Sequence, residues 1–419
     1  MMKRTYRQTA LLAMILFSLF IVLTFAQMAS AAEKGPIKLG FIGPMTGSRA
    51  QVGADMVAGF KLRLEEAGFT AAGRKIELIS EDEKTPTEAV TTVRKLIQHD
   101  NVAYIAGFFG SNAAYAVTPL CVEANVPLMV TACNGNEMTQ QKHEKVLLRA
   151  NCAGTQICHV AGDYAYKKLG WREVAIIGWE HAFGQESVGA FQRVFEEQGG
   201  KVVQRIYCPR DTLDFGPYVS SLKPDADGLY AVITAAPSMR FLKTLKASGL
   251  MDKWKVLSVL TATDEGFLQE LGDTGLGVLT VNNWSPALDT PRSKAFVKKA
   301  AEATGREVSG PMMDSYVAAE WVLKAIEAVK GNVEDKPKFL AALWAVEIKD
   351  SPHGNLKPDA YGNPIQNVYI RRVDKVNGRY QNTVIDVYEK VSQFWTYDPE
   401  TFLKEPPYSK DNPPCKYCR

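Results

Sequence analysis

The sequence predicts an α/β protein with two lobes, each built on a parallel sheet covered by helices. Short apolar segments alternate with amphipathic segments over residues 37–132, and the same alternation restarts after Cys152. Strands that are separated by helical crossovers pair in parallel, and the helices then cover both faces of the sheet. The length of 419 residues is also more than one hydrophobic core usually serves. We therefore expect two lobes.

The amino-terminal segment, residues 1–32, is predicted to be a secretory signal peptide. Three basic residues precede a run over residues 10–26 that is apolar and uncharged except for one serine and one threonine, and small residues follow at Ala29 and Ala31. The alternative is an uncleaved membrane anchor, because the apolar run approaches the length that spans a bilayer. Cleavage also removes the three basic residues, which equal the net charge of +3, so the exported protein is near neutral. Nothing in this balance favours nucleic acid or an anionic membrane as a partner.

The first half of the exported chain is predicted to begin with the strand IKLGFIG and a loop that contains Gly43, Pro44 and Gly47. Apolar residues then recur at three- and four-residue spacing over residues 52–67, which predicts a helix with one buried face. A capping box that begins at Thr85 predicts the start of a second helix. The strands KIELISE, VAYIAGF and PLMVTA complete the alternation in this region.

In the second half, the predicted strands are EVAIIGW, KVVQRIY, GLYAVIT and KVLSVL, with helices between them. Three successive helices follow, over residues 293–304, 312–329 and 337–346. Because helices without intervening strands cannot extend a parallel sheet, we expect them to pack on the first lobe. Two strand-like runs, IQNVYIRRV and TVIDVYEKV, come next. Residues 392–419 hold five of the 21 prolines and are predicted to form an extended tail.

The seven cysteines are an odd number, so at least one is unpaired in a monomer. Cys415 and Cys418 form a CxxC motif in the tail. A redox or metal site is one interpretation, but the sequence has no second CxxC and no histidine directly after the motif. A structural disulfide, or tail cysteines without a special role, is the favoured interpretation, and the connectivity of the seven cannot be read from spacing.

Motifs of catalysis and cofactor binding were not found. The sequence has no P-loop, no GxGxxG after a strand, no HExxH and no GxSxG elbow, and it contains only five histidines. This predicts a protein that is not an enzyme and that holds no cofactor or metal. The alternative is an enzyme that uses Glu180 and His181, which follow a strand, as acid and base. Polar loop residues without a catalytic role are favoured.

Several predicted strands end in loops rich in small or hydroxyl residues. Ligands of open parallel sheets bind beyond the carboxyl ends of the strands, so the shared position of these loops predicts a binding cleft. Ser111, at a helix start, can bind a carboxylate through its hydroxyl and nearby N–H groups, although it could instead only cap the helix. Asp264 could likewise be a helix cap. The other candidates from these loops are Asn112, Asn134, Gly135, Asn136, Trp179, Phe183, Thr234 and Thr261.

These segments together resemble periplasmic substrate-binding proteins of the branched-chain amino acid type, such as leucine-binding proteins, which serve ABC importers. The segments IKLGFIGPMTGSRAQVGADMVAGFKLRLEEAG, YIAGFFGSNAAYAVTPLCVEANVPLMVTA and FLKTLKASGL carry the resemblance, which covers residues 37–390. It implies a type I periplasmic-binding fold, in which two Rossmann-like lobes joined by three crossovers close on a ligand. The implied segments are 36–150 with 282–354 for lobe 1, 151–281 with 355–391 for lobe 2, and 392–419 for the tail.

The resemblance also implies roles for single residues. Ser111 matches the serine that holds the ligand carboxylate, residues 134–136 match a second carboxylate loop, and Phe183 matches an aromatic wall position. The sequence departs from the amino acid binders of the family at Val52 and Thr234, which replace aromatics. It also departs at Thr261, which replaces the acidic residue that receives the ammonium group.

These departures favour an organic or aromatic acid, or a small amide, over an α-amino acid. A buried ammonium group without a carboxylate partner would cost several kcal/mol, unless Asp264 takes the acidic role. The resemblance thus implies a monomeric periplasmic protein that captures a small carboxylate-bearing ligand and delivers it to an ABC permease in the inner membrane. A ligand-sensing receptor of the same fold is the alternative.

Overall fold

The computed structural model describes residues 35–210 and 212–418. The signal peptide predicted over residues 1–32 lies outside the described residues. Within these two ranges, no helix is both long and apolar enough to cross a membrane.

The chain alternates between strands and helices, as the sequence predicts. The strands are β1 (Ile37–Gly43), β2 (Thr70–Ala71), β3 (Arg74–Asp82), β4 (Tyr104–Gly107), β5 (Leu128–Val130), β6 (Leu147–Arg149), β7 (Glu173–Trp179), β8 (Lys201–Cys208), β9 (Gly228–Val232), β10 (Lys255–Val259), β11 (Leu279–Asn282), β12 (Ile348–Ser351), β13 (Gly354–Leu356), β14 (Gln366–Val376) and β15 (Arg379–Val391). The helices are α1 (Ala50–Glu66), α2 (Pro86–Gln98), α3 (Ser111–Ala124), α4 (Gly154–Lys167), α5 (Ala182–Glu197), α6 (Gly216–Ser220), α7 (Ala236–Ala247), α8 (Leu250–Lys253), α9 (Glu265–Leu271), α10 (Pro291–Thr304), α11 (Gly310–Ala328), α12 (Lys336–Ala345) and α13 (Pro399–Lys404).

The strands form two large sheets, one in each lobe. The first sheet has six strands in the order β2-β3-β1-β4-β5-β6, and all neighbours are parallel except the β2-β3 hairpin. The second has seven strands in the order β15-β14-β11-β10-β9-β7-β8, where β7 to β11 are parallel and β14 and β15 add an antiparallel edge. The predicted class of two lobes with mostly parallel sheets is confirmed.

The chain passes between the two sheets three times, after β6, after β11 and after β13. As predicted, the helices after β11 pack on the first lobe. Met56 and Phe60 of α1 share one buried cluster with Met312 and Tyr316 of α11. Gly59 allows this close approach, because a side chain there would collide with the Met312 carbonyl group.

The tail packs against the second lobe. Helix α13 forms within it, and Phe394, Phe402 and Tyr408 are buried in the same cluster as the apolar faces of α4 and α5. The Arg205 guanidinium donates to the carbonyl oxygens of Lys410 and Pro413 at 2.6 and 2.8 Å. The expected extended tail therefore contributes to the core of the second lobe. The sequence does not predict this packing, because the aromatic residues of the tail follow neither helical nor strand periodicity.

The cysteines divide into one disulfide and a set of buried thiols. Cys415 and Cys418 are disulfide-bonded, which agrees with the favoured interpretation of the CxxC motif. The other five cysteines are free and buried.

Candidate ligand-binding site

A cavity of about 160 Å³ lies between the two lobes, at the carboxyl ends of both parallel sheets. In the first lobe its lining comes from the loops that follow β1, β3, β4, β5 and β6. In the second lobe it comes from the ends of β7, β8, β9, β10 and β11, and the first turns of α11 complete it. Ligands of open parallel sheets bind at this edge. The cavity is therefore the candidate site.

The order of the strands gives the cavity two different ends. Arg49 and Arg210, which follow β1 and β8, lie at one end, which we call the cationic end. Asn151 and Asn282, beside the chain crossings after β6 and at β11, lie at the hinge end. Ser111 follows β4, two strands from β6. Neighbouring strands are about 4.8 Å apart, and two such spacings separate the ends of β4 and β6. Ser111 and Asn151 are therefore about 10 Å apart along the sheet edge.

Most of the residues that the sequence singles out lie along this cavity, and four do not. Val52, Gly135, Asn136 and Asp264 are outside the lining. The predicted residues that line the cavity are Ser111, Asn112, Asn134, Trp179, Phe183, Thr234 and Thr261.

Gly135 and Asn136 support the lining from behind. Gly135 N donates to Ser111 Oγ at 3.0 Å. Asn136 N donates to the Glu186 carboxylate, and Asn136 Oδ1 accepts from Thr155 N at 2.7 Å. Because these N–H groups already have protein partners, the expectation that this loop binds the ligand carboxylate directly is corrected for both residues.

Val52 and Asp264 belong to other environments. Val52 is buried in the core of the first lobe, because α1 begins at Ala50 and places the cavity-lining position at Arg49 instead. Asp264 Oδ1 accepts from Gly266 N at 2.9 Å and caps α9. Burial raises the pKa of Asp264 well above its usual range, and neighbouring carboxylates add to the rise. Asp264 is therefore a helix cap, and a poor partner for an ammonium group.

Ser111 is the first residue of α3 and is almost fully buried. The residue before it, Gly110, is the N-cap and has no side chain to satisfy the first N–H groups of the helix. Ser111 Oγ accepts from Gly135 N and keeps its own proton for another acceptor. The amino-terminal end of a helix favours negative charge. A carboxylate is therefore the group that Ser111 and α3 are suited to hold.

Two arginines add positive charge beside Ser111, one from each lobe. Arg49 Nη2 donates to the Arg210 carbonyl oxygen at 3.3 Å, which joins the lobes across the cavity. Arg210 Nη2 lies 3.3 Å from the position that a Cβ atom would take at Gly110. Guanidinium groups pair well with carboxylates.

Glu83 offsets part of this positive charge. Its carboxylate is buried and accepts from Phe109 N and Gly110 N at 2.7 and 2.8 Å. Burial raises the pKa of Glu83, while Arg210 and Arg49 oppose the rise. The cationic end thus places the guanidinium groups of Arg49 and Arg210 near a carboxylate that already accepts two backbone hydrogen bonds.

Aromatic rings of the second lobe form one wall. The His181 ring lies between those of Trp179 and Phe183, with centroids 6.3 Å away on each side and interplanar angles of 20° and 27°. Burial lowers the pKa of His181 to about 3, so the imidazole is neutral near pH 7. Glu180 lies outside the lining, and its Oε1 accepts from Lys410 Nζ at 2.7 Å. The acid and base of the enzyme alternative are therefore not directed at one point of the cavity.

Asp314 brings an acidic group to the hinge end. Its Oδ1 lies 2.9 Å from His353 Nε2 and accepts from Asn283 Nδ2 at 3.1 Å. His353 Nδ1 donates to Gln366 Oε1 at 2.8 Å. The two hydrogen bonds of the His353 ring thus connect Asp314 to Gln366. Burial raises the pKa of Asp314, and the His353 contact opposes the rise.

Three non-glycine residues with positive φ lie at the ends of the strands around the cavity. They are Phe108 at 65°, Ala235 at 59° and Leu260 at 49°. Such backbone conformations cost about 1–3 kcal/mol each and cluster at functional sites. Their position is consistent with a ligand site at this edge of the sheets.

Glu186 of α5 connects the two lobes behind the cavity. Tyr115 Oη donates to its Oε1 at 2.9 Å, and Asn136 N donates to its other oxygen. Burial raises the pKa of Glu186 to about 8, although both hydrogen bonds oppose the rise. The carboxyl group is therefore mostly protonated in the closed protein near pH 7.

We expect the free energy of unfolding to fall as the pH rises from about 5 to 9. The folded pKa of Glu186 lies above its ordinary value, so the folded protein holds a proton that the unfolded chain has lost. This stabilisation is complete below the unfolded pKa and is lost as the pH rises through the folded pKa, at up to about 1.4 kcal/mol per pH unit. Urea unfolding at several pH values measures the fall. In Glu186→Gln the fall in the free energy of unfolding should be smaller. The same fall in both proteins would contradict the assignment of this pH dependence to Glu186.

Sequence reasoning missed Arg49, Arg210, His181 as a wall residue, and Asp314. Arg49 lies in the loop after the first strand, and Arg210 lies just after β8. Both could have been found by asking for charged residues wherever a parallel strand ends. Asp314 comes from a helix that returns from the other lobe, so no local signal in the sequence places it at the cavity.

Two parallel-sheet lobes around one ligand-sized cavity define a two-lobed solute-binding protein. The chain belongs to the periplasmic binding protein family, whose model matches residues 36–379. It is 30% identical over 399 residues to Leu/Ile/Val-binding protein homolog 6 of Brucella melitensis biotype 1, covering 92% of this chain and 97% of that protein.

Solved structures of ABC transporter solute-binding proteins are similar to it along most of the chain. One from Rhodopseudomonas palustris BisB5, in complex with 3,4-dihydroxybenzoic acid, has a TM-score of 0.81 and 29% identity, covering 85% of this chain and 98% of that one. Another from R. palustris HaA2, in complex with p-hydroxybenzoic acid, has a TM-score of 0.81 and 30% identity, covering 86% and 98%. The predicted family and fold are confirmed.

Proposed function

We propose that this protein binds a small aromatic carboxylate in the periplasm and delivers it, unchanged, to the permease of an ABC importer. The observation that carries the proposal is the pairing of a cationic end with an aromatic wall in one cavity. Ser111, Arg49 and Arg210 supply donors and positive charge, and the rings of Trp179 and Phe183 lie beside them. The protein acts as a monomer after its signal peptide is cleaved.

The cavity has the size for one aromatic ring. Its volume of about 160 Å³ is close to that of an engineered apolar cavity, about 150 Å³, that holds benzene. Ring pairing against Trp179 or Phe183 adds about 0.5–1.5 kcal/mol beyond the burial of area. A benzoate fills this space with its carboxylate at the cationic end.

An α-amino acid fits the cavity less well. With its carboxylate at Ser111, an α-amino acid would also need an acidic partner for its ammonium group. The position that supplies this partner in the amino acid binders that the chain resembles corresponds to Thr261, which lines the cavity. Asp314 is at the hinge end, away from Ser111, and its Oδ1 already contacts His353 and Asn283. Leaving the ammonium without a partner costs several kcal/mol.

The relatives support two ligand classes. The R. palustris proteins are in complex with hydroxylated benzoic acids, which supports the aromatic acid. The name of the Brucella relative supports a branched-chain amino acid as the second candidate. The residues of this cavity favour the first class.

A thermal-shift screen tests the proposed function. A ligand present at 100 times its Kd stabilises the native state by about 2.7 kcal/mol, so binding raises the melting temperature. We expect benzoate to raise it, while leucine, valine and succinate leave it nearly unchanged. A rise with leucine or valine alone would favour the second candidate and contradict the first.

Replacing Ser111 by alanine should weaken benzoate binding about 10- to 100-fold. The variant loses one hydrogen bond to a charged group, worth about 1.5–3 kcal/mol. Titration calorimetry measures the change. Unchanged affinity, together with a lower melting temperature, would mean that Ser111 only supports Gly135.

A further inference from the structure

The hinge end of the cavity carries hydrogen-bond acceptors that the protein leaves unused. Asn151 is 1% exposed, and its Nδ2 donates to the Cys133 carbonyl oxygen at 3.0 Å. That bond fixes the orientation of the amide. Within residues 35–210 and 212–418, Asn151 Oδ1 is buried without a hydrogen-bond partner, although the residue lines the cavity. A buried acceptor without a donor costs about 1–3 kcal/mol, so its presence here calls for a donor.

Asp314 adds a second acceptor beside it. His353 and Asn283 both contact Oδ1, so Oδ2 has no partner among the described residues. Because both contacts involve Oδ1, the Oδ2 atom can accept a hydrogen bond from a ligand. Successive hydrogen bonds link the two residues. Asp314 contacts His353, His353 donates to Gln366, and Gln366 Nε2 donates to the backbone carbonyl oxygen of Asn151 at 2.9 Å.

We propose that a hydroxyl group on the ring of the ligand, para to its carboxylate, donates its one hydrogen bond to Asn151 Oδ1, with Asp314 Oδ2 sharing it as a second acceptor. The preferred ligand class is then a 4-hydroxybenzoate rather than benzoate itself. The inference rests on the proposed function, since it takes the carboxylate to be bound at the cationic end.

Geometry and chemistry both favour a hydroxyl. The acceptors lie about two strand spacings, about 10 Å, from Ser111 along the sheet edge. A ring with para substituents places its two polar groups at opposite ends. The carboxylate can then lie at the cationic end while the hydroxyl lies at the hinge end. A hydroxyl donates one hydrogen bond without adding a charge that would have to be buried. A site built to bond a hydroxyl discriminates strongly against an analogue that lacks it.

Titration calorimetry with three matched ligands tests the inference on the unmodified protein. We expect 4-hydroxybenzoate to bind about 10-fold more tightly than benzoate or 4-fluorobenzoate, which has nearly the same shape but no donor. Equal affinity for 4-hydroxybenzoate and 4-fluorobenzoate would overturn the inference and leave the proposed function intact. Failure of all three to bind would overturn the proposed function itself.

Two variants test whether Asn151 and Asp314 cause the preference for 4-hydroxybenzoate. The quantity compared is the ratio of the affinity for 4-hydroxybenzoate to the affinity for benzoate. The ratio should fall to about 2 or less in Asn151→Ala and should also fall in Asp314→Leu. Asp55→Asn is the matched control, because Asp55 is a buried first-lobe aspartate that bonds Arg306 and Ser309 outside the cavity. The control should keep the full ratio. A full ratio in Asn151→Ala would overturn the assignment, and the three-ligand comparison decides the proposal if a variant does not fold.

Discussion

Replacing Arg210 by methionine is expected to weaken benzoate binding by about 10- to 100-fold. Hydrogen bonds to charged groups contribute about 1.5–3 kcal/mol, and each 1.4 kcal/mol is tenfold in affinity. The guanidinium lies beside Gly110 and Ser111, at the start of the helix that is suited to hold the carboxylate. Methionine keeps much of the side-chain length but removes the charge. Titration calorimetry at low and moderate salt measures the loss.

Two further variants separate charge from packing. Arg210→Lys keeps a positive charge without the planar fork and should recover part of the affinity. Arg372→Met removes a surface arginine that pairs with Asp374 outside the cavity, and it should bind benzoate like the unmodified protein. Equal affinity in Arg210→Met and Arg372→Met would contradict the placement of the carboxylate at the cationic end.

Replacing Phe402 by alanine is expected to lower the free energy of unfolding by about 3–5 kcal/mol. Phe402 is 3% exposed, and its ring centroid lies 5.5 Å from that of Phe394 and 6.0 Å from that of Tyr408. The ring of His159 in α4 is 6.3 Å away, so the tail shares the core of the second lobe. Urea unfolding measures the loss.

The matched control is Tyr417→Ala, in the same tail. Tyr417 is 44% exposed, and we expect its replacement to change the free energy of unfolding by less than about 0.5 kcal/mol. Similar small effects of the two substitutions would mean that the tail is not part of the cooperative core.

The sequence predicted the structure best where hydrophobic periodicity sets the type of element, or where the end of a strand sets the position of a residue. The alternation of apolar strands and amphipathic helices predicts both sheets, because buried parallel strands need crossovers. The rule that ligands bind at the carboxyl ends of strands then brings Ser111, Trp179 and Thr234 to one cavity without any knowledge of side-chain direction. The return of α11 to the first lobe also followed from the lack of strands between the late helices.

Register and long-range packing account for what the sequence did not predict. The resemblance pointed to Val52, but α1 begins at Ala50 and the cavity-lining residue is Arg49. Asp264 follows a strand as predicted, yet its carboxylate is used by its own helix. Asp314 and Asn151 both line the hinge end only because the chain crosses between the lobes three times. Such contacts depend on the whole fold rather than on a local pattern.

The most direct test of the central claim is a crystal structure of the protein with benzoate. We predict one benzoate between the lobes, with its ring against Trp179 and Phe183. Its carboxylate should lie within hydrogen-bond distance of Ser111 Oγ and near the guanidinium groups of Arg49 and Arg210. A ligand whose carboxylate lies at the hinge end beside Asn151, or an amino acid in the cavity in place of benzoate, would contradict the account.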